Sequence, residues 1–319
     1  MLEYNHILSD AAYLDSVLMK EMQEISDKFG DDRRTEISDI VTSEEDEDLI
    51  ADKSILIALT KNGYIKRMSP DEFKMQNRGG IGVAGMTTKD DDEVSILTLS
   101  RTKRDVLLFT SVGKVYRVRG YQIPEGSRTS KGIPVINFLN LAKDERVLEI
   151  LSVDAHDQKY LVFVTDNGII KKTSVEEYEY INKAGKIALN VREGDELFSV
   201  KATDGSAKIL IGTSNGKICM FDESDVRSMG RTATGVKGVN LDGGKVIGLA
   251  TSKEGNMVLT VSSKGIAKLT PIDEYRETSR GAKGVKTLKE SDRTGGLVTM
   301  GVVHGDEQIL IITDGGTLM

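Results

Sequence analysis

The chain has 319 residues, enough for two average domains or one large β architecture, and no apolar run approaches the ~20 residues of a membrane helix. Its single cysteine, Cys219, excludes an internal disulfide framework, and residues 1–20 lack the basic-then-apolar layout of a signal peptide, so a cytoplasmic protein is expected. The net charge of −7 is unevenly spread: residues 1–54 hold 16 acidic and 5 basic side chains, the other 265 hold 34 and 38. An acidic lead-in thus precedes a mildly basic body, a balance that suits a polyanion partner for the body.

Residues 10–29 predict one amphipathic helix. Ser9 or Asp10 can cap it, Leu14, Leu18, Met22, Ile25 and Phe29 recur at helical spacing, and Gly30 stops it. A lone helix this short needs something to pack against, so its apolar stripe reads as the edge of a contact surface. Beyond it, Glu44-Glu45-Asp46-Glu47-Asp48 reads as a solvated linker, or as a segment competing with a polyanion for the basic surface.

From residue 55 a repeat decides the fold. Glycine is abundant, 32 against 4 prolines, which favours tight turns between short strands. Each unit has an apolar strand, a Thr- or Ser-led turn with glycine, and a second strand, as in Ile55-Leu56-Ile57-Ala58-Leu59-Thr60 with Gly63. The turn glycines Gly63, Gly113, Gly168, Gly216, Gly265 and Gly316 lie 50, 55, 48, 49 and 51 residues apart. Two residues after each stands an apolar side chain: Ile65, Val115, Ile170, Ile218, Ala267 and Leu318. Roughly 20 residues further on, five copies carry a second glycine signal and another strand, at Gly82, Gly132, Gly185, Gly235 and Gly284.

About four strands per ~50 residues is the size of a propeller blade, and no unit shows a helical period. The expected fold is therefore all-β: a six-bladed β-propeller of four-stranded antiparallel blades over residues 55–319, preceded by a helix and linker in residues 1–54. The sixth copy reaches only Gly316-Thr317-Leu318-Met319, so an edge of blade six is expected to lack its partner. Residues 36–41 are a candidate strand to cover that edge.

Few motifs carry chemistry. Gly80-Ile81-Gly82-Val83-Ala84-Gly85 matches G-x-G-x-x-G, but no helix follows to aim N–H groups at a pyrophosphate. His6, His156 and His304 are scattered, Asp90-Asp91-Asp92 reads as a solvated turn rather than a calcium loop, and Cys219 reads as strand packing. The basic residues are better ordered. Arg67, Arg117 and Lys172 each lie four residues after a turn glycine. Around the second glycine stand Arg78, Arg128 with Lys131, Lys183 with Lys186, Arg231 with Lys237, and Arg280 with Lys283. A repeat places equivalent residues at equivalent points of a ring, so these cations form a belt suited to duplex backbone contact.

Several segments resemble the family of DNA gyrase A C-terminal domains, over essentially the whole chain. They include Arg33-Arg34-Thr35-Glu36-Ile37, Gly63-Tyr64-Ile65-Lys66-Arg67, Ile123-Pro124-Glu125 and Met229-Gly230-Arg231-Thr232-Ala233-Thr234-Gly235-Val236. Gln76-Asn77-Arg78-Gly79-Gly80-Ile81-Gly82 resembles the family's seven-residue box, with Asn77 and Ile81 departing from it by loss of charge. The resemblance implies a six-bladed β-pinwheel that wraps duplex DNA around its rim and directs strand passage toward negative supercoiling. It implies DNA contacts by Gln76, Arg78, Gly79, Gly80 and Gly82 of the box, and by Lys66, Arg67, Arg117, Arg128, Lys131, Lys172, Lys183, Lys186, Arg231, Lys237, Arg280 and Lys283. In the box the glycines would let backbone N–H groups approach and Arg78 would supply charge.

No catalytic residue and no metal or other cofactor is expected in this chain, ATP and Mg2+ being implied only for a whole enzyme. The implied partners are double-stranded DNA, the remainder of DNA gyrase A, and DNA gyrase B in an A2B2 assembly, with no membrane and a nucleoid-associated location. The corresponding C-terminal domain of topoisomerase IV is the alternative within this class. A propeller serving as a protein-interaction platform is the alternative outside it.

Overall fold

The computed structural model describes residues 2–31, 50–72, 83–84, 92, 94–127, 130–153, 158–305, 307 and 317–318. Two compact units span Met1–Glu47 and Asp48–Met319. The described residues of the first form two helices rather than the one expected, α1 (Leu2–Ser9) and α2 (Ala11–Phe29). Asp10 separates them: its backbone is extended, and its carboxylate accepts the N–H groups of Ala12 and Tyr13 at 3.0 and 3.3 Å. The eight residues of α1 are too few for a helical period to show in sequence. No residue of α2 is buried.

The described residues of the second unit form strands, turns and short 3-10 segments. The first copy supplies β1 (Ser54–Thr60), β2 (Tyr64–Met68), β3 (Val83–Ala84) and β4 (Val94–Arg101). The second supplies β5 (Asp105–Thr110), β6 (Lys114–Arg119), β7 (Ile133–Pro134) and β8 (Val147–Val153). The third supplies β9 (Tyr160–Thr165), β10 (Ile169–Ser174), β11 (Lys186–Ile187) and β12 (Leu197–Thr203). The fourth supplies β13 (Lys208–Thr213), β14 (Lys217–Asp222), β15 (Val236–Lys237) and β16 (Val246–Thr251). The fifth supplies β17 (Met257–Ser262), β18 (Ala267–Pro271), β19 (Val285–Lys286) and β20 (Leu297–Val303), and β21 (Thr317–Leu318) follows.

The first two strands of each copy form a hairpin with a repeated construction. Gly63, Gly113, Gly168, Gly216 and Gly265 all have φ between 69° and 79°, and each N–H bonds the carbonyl of the Thr or Ser three residues earlier. In four of the five hairpins the hydroxyl of that Thr or Ser also accepts the N–H of the residue that follows the glycine, as Thr60 does from Tyr64 at 3.1 Å and Ser262 from Ile266 at 3.2 Å. Asp92, read from sequence as a solvated turn, is instead buried and accepts the Asn62 N–H at 3.0 Å. Cys219 is buried on β14, its Sγ 3.4 Å from Thr278 Oγ1.

The sheets depart from the expectation that each copy builds its own blade. Their strand orders are β4-β1-β2-β7, β8-β5-β6-β11, β12-β9-β10-β15, β16-β13-β14-β19 and β20-β17-β18. The short strand after each second glycine therefore completes the blade of the preceding copy. That glycine lies against its host: a Cβ on Gly235, at φ 99°, would stand 2.5 Å from the Ile170 carbonyl oxygen. Five blades, not six, stand among the described residues, four of four strands and one of three. β21 of the sixth copy pairs with β3 of the first, Thr317 opposite Ala84 and Leu318 opposite Val83. Among the described residues, it is β18 of blade five whose outer edge has no partner strand. Residues 36–41 lie outside the described residues.

β4, β8, β12, β16 and β20 pack on one another in chain order, and apolar clusters fill the space between blades. One cluster joins Ile57, Leu59 and Ile65 of blade one to Val106, Leu108 and Tyr116 of blade two, all at most 1% exposed. Each such side chain contributes about 1.5–3 kcal/mol relative to exposure. Blades are therefore held by their neighbours as well as by their own ladders.

Candidate nucleic-acid interface

One hydrogen-bonded turn recurs ahead of each described second-glycine strand from the second copy onward. Ser130 N–H bonds Ser127 O at 3.0 Å, Gly185 N–H bonds Asn182 O at 2.9 Å, Ala233 N–H bonds Gly230 O at 3.1 Å, and Ala282 N–H bonds Ser279 O at 3.2 Å. The residue that follows the accepting carbonyl is Arg128, Lys183, Arg231 and Arg280 in turn. At the described positions Lys183, Arg231 and Arg280 the backbone thus presents one cation at the same point of the same turn. The turn also explains the third copy, whose loop is two residues shorter between its glycines: the missing residues follow the turn, so Lys183 keeps its place.

Beneath these turns lie lysines that do not face solvent. Lys66 is fully buried and donates to the Ser127 and Ser130 carbonyls at 2.9 and 2.8 Å. Lys171, also fully buried and also three residues after a turn glycine, donates to Ala188 O at 2.6 Å and to Arg231 O. Burial, with a smaller contribution from the Arg231 charge, pushes the Lys171 ammonium down to about 8. Lys172 donates to Glu223 O at 2.9 Å and lies 3.8 Å from the Glu223 carboxylate, which is itself buried and bonded to Thr203 and the Ala207 N–H. Lys66 and Lys172, expected at the DNA surface, are therefore structural cations, since their ammonium groups satisfy buried oxygens. Lys171 was missed by the sequence reading, although its place after Gly168 matches that of Lys66 after Gly63.

The remaining cations are accessible to different degrees. Arg67 is 20% exposed, donates to Ile123 O at 2.8 Å and meets Glu125 at 2.9 Å. Arg117 meets Asp105 at 3.0 Å and donates to Glu179 O. Arg231 meets Glu177 at 3.3 Å, and Arg280 donates to Asp225 O and Lys237 O at 3.2 and 2.6 Å. Lys283 meets Asp242 at 3.0 Å, while Lys183 and Lys237 are exposed and Lys186 is half-buried. Lys131 sits 4.0 Å from the Tyr64 ring centroid. Exposed ion pairs of this kind contribute only about 0–1 kcal/mol, so an incoming phosphate can displace the carboxylate. Gln76, Arg78, Gly79, Gly80, Gly82 and Arg128 lie outside the described residues.

Comparisons with known proteins agree with this geometry. The family model "DNA gyrase C-terminal domain, beta-propeller" matches residues 54–100, 104–154, 159–204, 207–253 and 256–304, one match per described blade repeat. The DNA gyrase A of Ureaplasma parvum serovar 3 is 48% identical over 306 residues, covering 95% of this chain and 36% of that protein. Its counterpart in Mycoplasma genitalium is 45% identical over 315 residues, covering 98% and 38%. The chain thus spans little more than a third of the length of these relatives. A solved structure of a DNA gyrase A C-terminal domain superposes with a TM-score of 0.72 at 28% identity, covering 82% of this chain and 86% of that one. The C-terminal domain of a DNA topoisomerase IV superposes with a TM-score of 0.59 at 26% identity, covering 78% and 77%. By its five matched repeats, its blade architecture and its relatives, the chain belongs to the family of DNA gyrase C-terminal β-propeller domains.

Proposed function

We propose that this chain binds, bends and wraps double-stranded DNA along the belt of turn-borne cations, and that it does so as part of a DNA gyrase A. The observation that carries this reading is the repeated turn with a cation at one position, Lys183, Arg231 and Arg280 in the described copies. Bending a stiff duplex through a large angle costs several kcal/mol, so contacts must be spread along the arc rather than concentrated in one groove. Cations on loops held from beneath by Lys66 and Lys171 meet that need. They address phosphates and carry little base information. In the complete enzyme the wrapped segment would be handed to strand passage and bias it toward negative supercoiling, with the rest of DNA gyrase A and with DNA gyrase B as partners in an A2B2 assembly. ATP and Mg2+ would act there and not in this chain.

The test is equilibrium binding of the 319-residue chain to linear duplexes of unrelated sequence at two salt concentrations. Similar affinities for all sequences, falling at least about tenfold from low to physiological salt, are expected from release of several counterions. Equal affinity at both salts would remove the phosphate-belt reading.

A further inference from the structure

Blade two differs from blade one at one point on the belt. In blade one, Arg67 is neutralised by Glu125, which lies two residues before Ser127, where the repeated turn begins. In blade two, Arg117 holds the place of Arg67, and the residue two before Asn182, where the equivalent turn begins, is Tyr180. A tyrosine thus stands where a carboxylate closed the site. Arg117 turns instead to Asp105 Oδ1 at 3.0 Å, and Arg119 shares that oxygen at 3.2 Å, so one carboxylate serves two guanidinium groups. Beside them opens a cavity of about 650 Å³, whose wall includes Arg117, Arg119, Lys186, Asp105, Glu179 and Tyr180. Tyr180 is 81% exposed and is followed by apolar Ile181.

An exposed ring in this position makes no ion pair with a phosphate. On a surface that bends duplex, an apolar side chain acts by entering the minor groove and unstacking one base step, which localises the bend as a kink. The cavity is within the size range that admits a nucleotide-sized unit. Resting on the duplex binding proposed above, we propose that Tyr180 is the wedge of the belt: its ring enters a base step while Arg117 and Lys186 hold flanking phosphates, so that bending is sharpest at blade two.

The experiment compares the affinity of the 319-residue chain for a fully paired duplex with that for the same duplex carrying a central two-base mismatch. A wedge favours the mismatched duplex by about fivefold or more, because part of the unstacking has already occurred. Tyr180→Phe is expected to keep that ratio and Tyr180→Ala to lower it below about twofold. Each ratio is taken within one variant, so it does not depend on how much of that variant folds. The same ratio in Tyr180→Ala as in the unsubstituted chain, or no preference in the unsubstituted chain, would overturn the wedge while leaving duplex binding in place. Abolition of the preference by a free mononucleotide would assign the cleft to a small ligand and also overturn it. Failure to bind either duplex would overturn both proposals.

Discussion

Lys171 and Arg231 lie 60 residues apart in different repeats, yet the buried Lys171 ammonium donates to the Arg231 backbone carbonyl. Its other acceptor, Ala188 O at 2.6 Å, belongs to its own repeat, so one amine ties two repeats together directly below a surface cation. Lys66 likewise reaches from the first repeat into the second, through Ser127 O and Ser130 O. A cation inside the protein thus fixes the backbone from which a cation outside is presented.

Lys171→Met is therefore expected to lower stability by about 2–3 kcal/mol, since two carbonyls lose a charged donor in a buried place. Chemical denaturation reads this directly. A loss below about 0.5 kcal/mol would mean that water replaces the amine.

The same residue sets a pH dependence. Its folded pKa of about 8 lies below the ordinary 10.5, so between these values the unfolded chain binds more protons than the folded one. Stability linked to this group accordingly rises with pH across that window, while below pH 8 the full penalty of a buried charge remains. Relative to Lys171→Met, the unsubstituted chain should gain stability between about pH 7.5 and 10. A difference that stays constant over that range would contradict the depressed value.

Much of this architecture was legible in the residues. The hairpins could be read because Thr60, Gly63 and Ile65 and most of their repeats combine a hydroxyl acceptor, a positive-φ glycine and an inward apolar side chain within six positions. The exchange of strands between blades could not, because two residues such as Val236–Lys237 carry no period that names a partner. Nor could the fate of the lysines be read. Lys172 sits in the same sequence pattern as Arg117, four residues after a turn glycine, but only packing decides whether a long side chain ends in water or on a buried carbonyl. Tyr180 gave no signal in sequence, since its significance lies in its equivalence to Glu125 through turns that only the fold aligns.

Charge removal should separate the two classes of cation. Lys183→Gln or Arg280→Gln is expected to weaken duplex binding severalfold and to reduce the salt slope by about one unit, with stability nearly unchanged. Lys172→Met should show the reverse, because it strands the buried Glu223 carboxylate. Identical profiles for Lys183→Gln and Lys172→Met would argue against the division.

Gly235→Ala offers a test of strand exchange. The new Cβ would press on the Ile170 carbonyl at a backbone φ of 99°, costing about 1–3 kcal/mol from conformational strain alone. Hydrogen exchange should then rise in the third blade, at Ile169 and Ile170, although the substitution lies in the fourth repeat. Increased exchange confined to the fourth blade would go against the exchanged topology.

The edge at β18 gives a comparison within one molecule. Ile65, Val115, Ile170 and Ile218 are fully buried beneath the strand that each receives, whereas Ala267, at the equivalent place, is exposed. Its amide is expected to exchange about a hundredfold faster than those four, as unpaired sheet edges do. Equal protection would mean that something covers this edge in solution.

The offset between repeat and blade also limits how such a ring can be edited. Removing residues 159–204, one matched repeat, would take β9, β10 and β12 from one sheet and β11 from the sheet before it. One sequence repeat is thus not a piece that closes by itself, and after such a removal the second blade would have to receive β15 of the fourth repeat in place of β11. Variation is cheaper in the connecting loops, where the third copy has already shortened by two residues without disturbing the turn that holds Lys183.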